Sequence, residues 1–145
     1  MNINIYSIEK REEYKKIIDE YIKQSQQFKS RVRNITIFNK NIAKNNTPQT
    51  YSKEFEKFLT NGYNIALSPE GKLLDSFQFA KLLENKQNIN FFIGGAYGLE
   101  ESFKERCDIT ISLTPLTLSH KVAKIVLFEQ VFRGLAINNN HPYHK

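Results

Sequence analysis

Two hydrophobic spacings take turns along the chain, and their order predicts its elements. Ile3 and Ile5 alternate with polar residues as a first strand. From Ser7 onward, Tyr14, Ile17, Ile18, Tyr21, Ile22 and Phe28 recur at three-four spacing, which predicts a helix with one buried face. Val32 to Phe38 is β-rich and reads as a second strand, and Asn39 to Gln49, with paired asparagines and Pro48, as a mobile loop. Tyr51, Phe55, Phe58 and Leu59 line a short helix that Asn61-Gly62 ends, because glycine tolerates the left-handed cap. Tyr63 to Leu67 follows as a third strand and Ser68-Pro69-Glu70-Gly71-Lys72 as a turn.

Asp75 caps the next helix, with Gln78 three residues on and Leu74 placed to staple against Phe79. Asn90 to Ile93 is a fourth strand, a short amphipathic segment starts at Leu99, and Cys107, Ile109, Ile111 and Leu113 alternate as a fifth strand. Ser119 caps a last helix whose apolar residues, from Val122 through Val131 and Phe132 to Ile137, almost encircle it. Strands alternating with helices predict a single α/β domain over residues 1–145 with a mainly parallel sheet. One domain offers such a helix only one core side, so a second copy of the chain, a homodimer, is expected to cover the other, with Val131 and Phe132 on the outward face.

Charge changes the picture more than composition does. The net charge is +6, yet no acidic residue stands between Glu20 and Glu54, while Lys23, Lys29, Arg31, Arg33, Lys40, Lys44 and Lys53 do. Such a block neutralises phosphates and releases counterions, so nucleic acid is the expected partner. No apolar run is long enough to span a bilayer, so no membrane partner is expected. Met1 to Tyr6 lacks a signal-peptide pattern, and a single cysteine, Cys107, fits a reducing compartment; a cytoplasmic location is expected. With three histidines and one cysteine, no metal site is expected.

Ligands of parallel sheets bind beyond the carboxyl ends of the strands, and three such ends are unusual here. They are Leu67-Ser68-Pro69-Glu70-Gly71, Gly94-Gly95-Ala96-Tyr97-Gly98 and Leu113-Thr114-Pro115-Leu116-Thr117-Leu118. Glycines at a strand end let a ligand approach the backbone. The glycine loop is not the dinucleotide fingerprint, and no acidic residue follows to hold a ribose. The chain stops at Asn140-His141-Pro142-Tyr143-His144-Lys145, a short tail stiffened by proline and rich in hydrogen-bonding groups.

Ile93 to Gly98, Ser112 to His120, Glu129-Gln130 with Arg133, and Asn140 to His144 together resemble the RlmH family, ribosomal RNA large subunit pseudouridine methyltransferases of the SPOUT superfamily. Departures are Ser119 where proline is frequent, Lys145 where arginine is common, and Ala96-Tyr97 in place of Pro-Glu. The resemblance implies a C-terminal trefoil knot and a homodimer. It implies S-adenosyl-L-methionine bound by Leu67, by Gly94 and Gly95, and by Leu113, Thr114, Pro115, Leu116, Thr117 and Leu118. It implies methylation of N-3 of a pseudouridine in 23S rRNA, with Tyr143, His144, His141 and Arg133 as candidates for holding the imide, taking its proton or bracing the tail. Two other classes fit parts of the pattern: an RNA- or ribosome-binding module without catalysis, and an enzyme for another nucleotide cofactor. The first leaves the strand-end loops unused, and the second lacks its phosphate-binding motif.

Overall fold

The computed structural model describes residues 1–59 and 61–145. Its five strands are β1 (Asn2–Ile8), β2 (Arg31–Ile37), β3 (Tyr63–Leu73), β4 (Asn88–Ile93) and β5 (Ile109–Ser112). All pair in parallel, in the order β2-β1-β4-β3-β5. The helices are α1 (Lys15–Ser25), α2 (Lys40–Lys44), α3 (Pro48–Phe55), α4 (Ser76–Leu83), α5 (Glu101–Arg106) and α6 (His120–Asn138). The fold class is α/β, as the alternation of spacings predicts.

Strands of a parallel sheet are buried on both faces, and the side-chain alternation assigns each face its own core. Ile3, Ile5, Ile65, Ile89 and Phe91 pack with Ile18, Phe79, Leu83, Leu127 and Phe128 of α1, α4 and α6. Tyr6, Ile8 and Phe92 pack with Ile42, Tyr51, Phe55 and Phe103 of α2, α3 and α5. Near the amino ends of the strands, a row of asparagines crosses the second face. Arg33 Nε donates to Asn4 Oδ1 (2.8 Å), Asn4 Nδ2 to Asn90 Oδ1 (3.0 Å) and Asn90 Nδ2 to Asn64 Oδ1 (3.0 Å). Buried amides cost stability unless paired, and this row pairs them across four strands.

Four departures from the sequence pattern have local causes. The strand that holds Ile3 and Ile5 continues through Ser7 and Ile8, which pair with Thr36 and Ile37, so α1 begins only at Lys15. The Asn39–Gln49 segment is not a plain loop. The Asn39 side chain accepts the Ile42 N–H to start α2, and Thr47 accepts the Thr50 N–H to start α3 with Pro48 in its first turn. Ser68–Lys72 is no simple turn either: Leu67 and Lys72 both pair with Ile111, so residues 68–71 bulge out of a strand that then resumes. A Cβ on Gly71 would lie 2.5 Å from the Ile111 carbonyl carbon, which is why glycine stands there.

The fourth departure is the last helix. Val131 and Phe132 face inward, 0% and 2% exposed, because α6 lies between α1 and α4 with the sheet beneath it. Its own chain therefore covers most of the apolar circumference that suggested a second copy. Val122 remains exposed on the first turns. Among the described residues no helix is long and apolar enough to cross a membrane.

Candidate active site

A cavity of about 600 Å³ opens at the carboxyl ends of β3, β4 and β5, with the first turn of α6 as its fourth wall. That volume is in the range of sites that enclose a cofactor-sized molecule. Leu67, Gly94, Gly95, Leu113, Thr114, Leu116, Thr117 and Leu118 line it, as the strand-end pattern predicts. Pro115 does not line it and is exposed. Neither helix nor ladder engages Leu113–Leu118, so most of its main chain is left for a ligand; within it Thr114 Oγ1 accepts the Leu116 N–H (3.2 Å).

The glycines serve their own chain before any ligand. A Cβ on Gly94 would meet the Gly98 carbonyl oxygen at 2.5 Å, and one on Gly95 the Tyr51 phenol oxygen at 2.6 Å. Gly98 takes φ +79°, which closes the loop into a tight turn. These residues keep the loop folded over the buried Tyr51, rather than simply leaving space for a ligand as the sequence suggests. The Tyr51 phenol donates to Asn46 Oδ1, and burial pushes its pKa up.

Glu70, on the β3 bulge, also lines the cavity, within a strand end that the sequence points to, while two further lining groups escape that reading as site residues. Lys104, on α5, is largely buried between Glu101 (2.9 Å) and Glu70 (3.7 Å), and nothing in its local sequence marks it. His120 is half-buried at the start of α6, where burial holds its pKa below the ordinary value against the opposing pull of Glu9.

The tail builds a separate cluster. Arg133 Nε and Nη2 donate to Glu129 Oε1 (2.9 and 2.6 Å), Tyr143 Oη donates to the same oxygen (3.0 Å), and Arg133 Nη1 reaches His144 Nδ1 (3.0 Å). The guanidinium lies over the Tyr143 ring, 4.6 Å from its centre, and Phe77 meets His144 edge-on. A guanidinium only donates, so His144 Nδ1 accepts and its ring proton is on Nε2. His141 Nδ1 likewise accepts the Tyr143 N–H (3.2 Å), and its ring packs against Phe28 and Phe132. Burial first, then the Glu129 hydrogen bond, push the Tyr143 phenol up, so it is neutral near pH 7.

The four tail-side candidates, Arg133, His141, Tyr143 and His144, are thus brought together, but not at the cavity. None of them lines it. Glu129 follows His120 by nine residues of α6, which is roughly 14 Å of rise and half a revolution. The tail cluster and the cavity occupy opposite sides of one helix. The basic block is divided too. Lys29 and Arg31 lie at the amino end of β2, whereas Lys40 and Lys44 lie on α2 beyond its carboxyl end. Arg33 commits one nitrogen to Asn4 and is not free for phosphate alone.

A family described as "Predicted SPOUT methyltransferase" matches residues 1–144. The chain is 52% identical to the ribosomal RNA large subunit methyltransferase H of Nitratiruptor sp., over 99% of this chain and 98% of that one. It is 50% identical to the protein of the same description from Aliarcobacter butzleri, over the whole of both chains. A tRNA methyltransferase of Aquifex aeolicus superposes with a TM-score of 0.64 at 18% identity, over 92% of this chain and 70% of that one, a likeness of fold. The family match over nearly the whole chain and the identity to these relatives show that the chain belongs to the RlmH family of SPOUT methyltransferases.

Proposed function

We propose that the protein methylates N-3 of a pseudouridine in the RNA of the large ribosomal subunit, using S-adenosyl-L-methionine, as a homodimer. The observation that carries this is the cavity walled by three strand-end loops, in a chain so similar to ribosomal RNA large subunit methyltransferases. The cavity fits such a cofactor. Its leucines suit an adenine face, and the free main chain of Leu113–Leu118 suits the ring nitrogens and ribose. When bound, S-adenosyl-L-methionine supplies a methyl group made electrophilic by its sulfonium. The strand order and the family also support a trefoil knot through these loops.

Because the tail cluster is across α6 from the cavity, a complete site needs the tail of a second copy. In that arrangement the His144 Nε2–H donates to an imide carbonyl of the base and orients it. The Tyr143 oxygen accepts the imide N–H. As the nitrogen takes the methyl group, the methyl–sulfur bond would break and S-adenosylhomocysteine would leave, while the imide proton would pass to the Tyr143 oxygen and the Tyr143 proton to Glu129. Arg133 Nε and Nη2 both donate to Glu129 and fix its position. The imide becomes strongly acidic as the bond forms, so a weak acceptor suffices. Alignment of the two reactants supplies most of the acceleration, and proton transfer a smaller share.

The test is transfer of labelled methyl from S-adenosyl-L-methionine to purified large subunits and assembled ribosomes, followed by nuclease digestion and mass spectrometry. Label on one pseudouridine of the large-subunit RNA is expected. Tight cofactor binding without transfer to any ribosomal particle would overturn the reading and leave an RNA-binding module.

A further inference from the structure

A second cavity, about 210 Å³, shares Gly95, Ala96 and His120 with the first, so the two meet at the glycine loop. Its other walls come from the carboxyl ends of β1 and β2 and from the segment between α2 and α3. It therefore lies on the ligand-binding edge of the sheet, yet the proposed cofactor and imide chemistry leave it unused.

Its charges do not cancel. Glu9 is buried against Lys124 (2.5 Å), and Glu13 is paired with Lys121 (2.5 Å). Lys10 and Arg11, both exposed on its rim, have no carboxylate partner among the described residues. Phe38, 39% exposed, presents its ring on the same wall, with Lys10 Nζ 5.9 Å from the ring centre. Lys40 and Lys44, both exposed, follow Phe38 in the chain on α2. An open aromatic ring flanked by unpaired cations is what a single-stranded ribonucleotide needs: a stacking platform for the base and cations for its phosphates. The volume suits one base with part of its sugar.

We propose that this groove binds the nucleotide next to the methylated one, with the base stacked on Phe38 and the phosphate held by Arg11 and Lys10. This rests on the reading of the protein as an RNA methyltransferase. Tyr51 joins the two subsites, since its phenol holds Asn46 on the wall of the groove while its ring supports Gly95, which both cavities share. Docking of the flanking nucleotide would thereby fix where the target base enters the neighbouring cavity.

The experiment compares unaltered protein, Arg11→Glu and Phe38→Ala, with Lys16→Glu on the exposed side of α1 as the charge control. Both groove positions are exposed, and each variant is first checked for its circular dichroism and for S-adenosyl-L-methionine affinity by titration. Methyl transfer to ribosomal particles is then measured for KM and kcat at two salt concentrations. Arg11→Glu is expected to raise KM about tenfold, with kcat changed less than twofold, and to lower the slope of log KM against log salt by about one. Phe38→Ala is expected to raise KM by about tenfold with the salt slope unchanged, since stacking is not ionic. Lys16→Glu should change neither. If Arg11→Glu and Phe38→Ala methylate with unaltered KM and salt slope, the groove is not an RNA subsite, while the methyltransferase reading stands. If the unaltered protein binds the cofactor but methylates no ribosomal particle, both fall together.

Discussion

Lys124 offers the sharpest stability prediction. Its side chain is 1% exposed on the second turn of α6, and its ammonium meets Glu9, equally buried, and Glu12, which is mostly so. Glu9 follows β1 and Glu12 precedes α1, so this one cation ties the start of α6 to the segment between them. Lys124→Met keeps most of the stem but leaves two carboxylates facing each other in the interior. Breaking a buried pair from one side costs about 3–5 kcal/mol, a large part of the roughly 5–15 kcal/mol that holds a domain together. In a chain of this size each kcal/mol is worth about 2–4 °C, so Tm should fall by roughly 6–20 °C. Thermal and urea unfolding measure it, and adding Glu9→Gln should recover about 2 kcal/mol, because a neutral amide no longer needs the cation. A Tm for Lys124→Met within 2 °C of the parent would mean that the buried cation contributes little to stability.

Other perturbations follow from single contacts. Gly71→Ala places a Cβ 2.5 Å from the Ile111 backbone, so it should cost about 1–3 kcal/mol in unfolding experiments and weaken cofactor binding, as the displaced bulge lines the cavity. Burial lowers the folded-state pKa of His120, so below about pH 6.5 the unfolded chain takes up the proton first and stability falls; His120→Asn should flatten that loss between pH 7 and 5 in urea titrations. Arg31→Glu should weaken ribosome binding and flatten its salt dependence with cofactor affinity unchanged, and it is a cleaner probe than Arg33, which also pairs with Asn4.

The sheet was legible because its strands are short β-rich runs and both faces are buried, so Ile3, Ile5, Ile65 and Phe91 had to point one way and Tyr6 and Phe92 the other. Strand-end loops were legible because parallel strands bring their carboxyl ends to one edge. What stayed hidden depended on distant partners. The β3 bulge is defined by Ile111, the role of Lys104 by Glu70 on another element, and the burial of Val131 and Phe132 by helices on both sides of α6. Asn39 and Thr47-Pro48 did carry cap signals, but α2 has only five residues and its apolar pattern is too short to read. The tail was visible as chemistry, yet its position across α6 from the cavity could not follow from spacing alone, because it requires the chain to turn back at Asn140, where φ is +55°.

If the cavity of one chain and the tail of another make one site, two differently crippled chains should complement each other. A chain lacking His141–Lys145 is mixed with a full-length chain carrying Thr114→Trp, which fills the cavity. Each alone should transfer no methyl to ribosomal particles, and the tail-less chain should still bind S-adenosyl-L-methionine. If the subunits reassort freely, half of the dimers are mixed and each has one intact site, so about a quarter of the unaltered activity should return. Proven mixed dimers with no recovered transfer would mean instead that each chain builds its site alone.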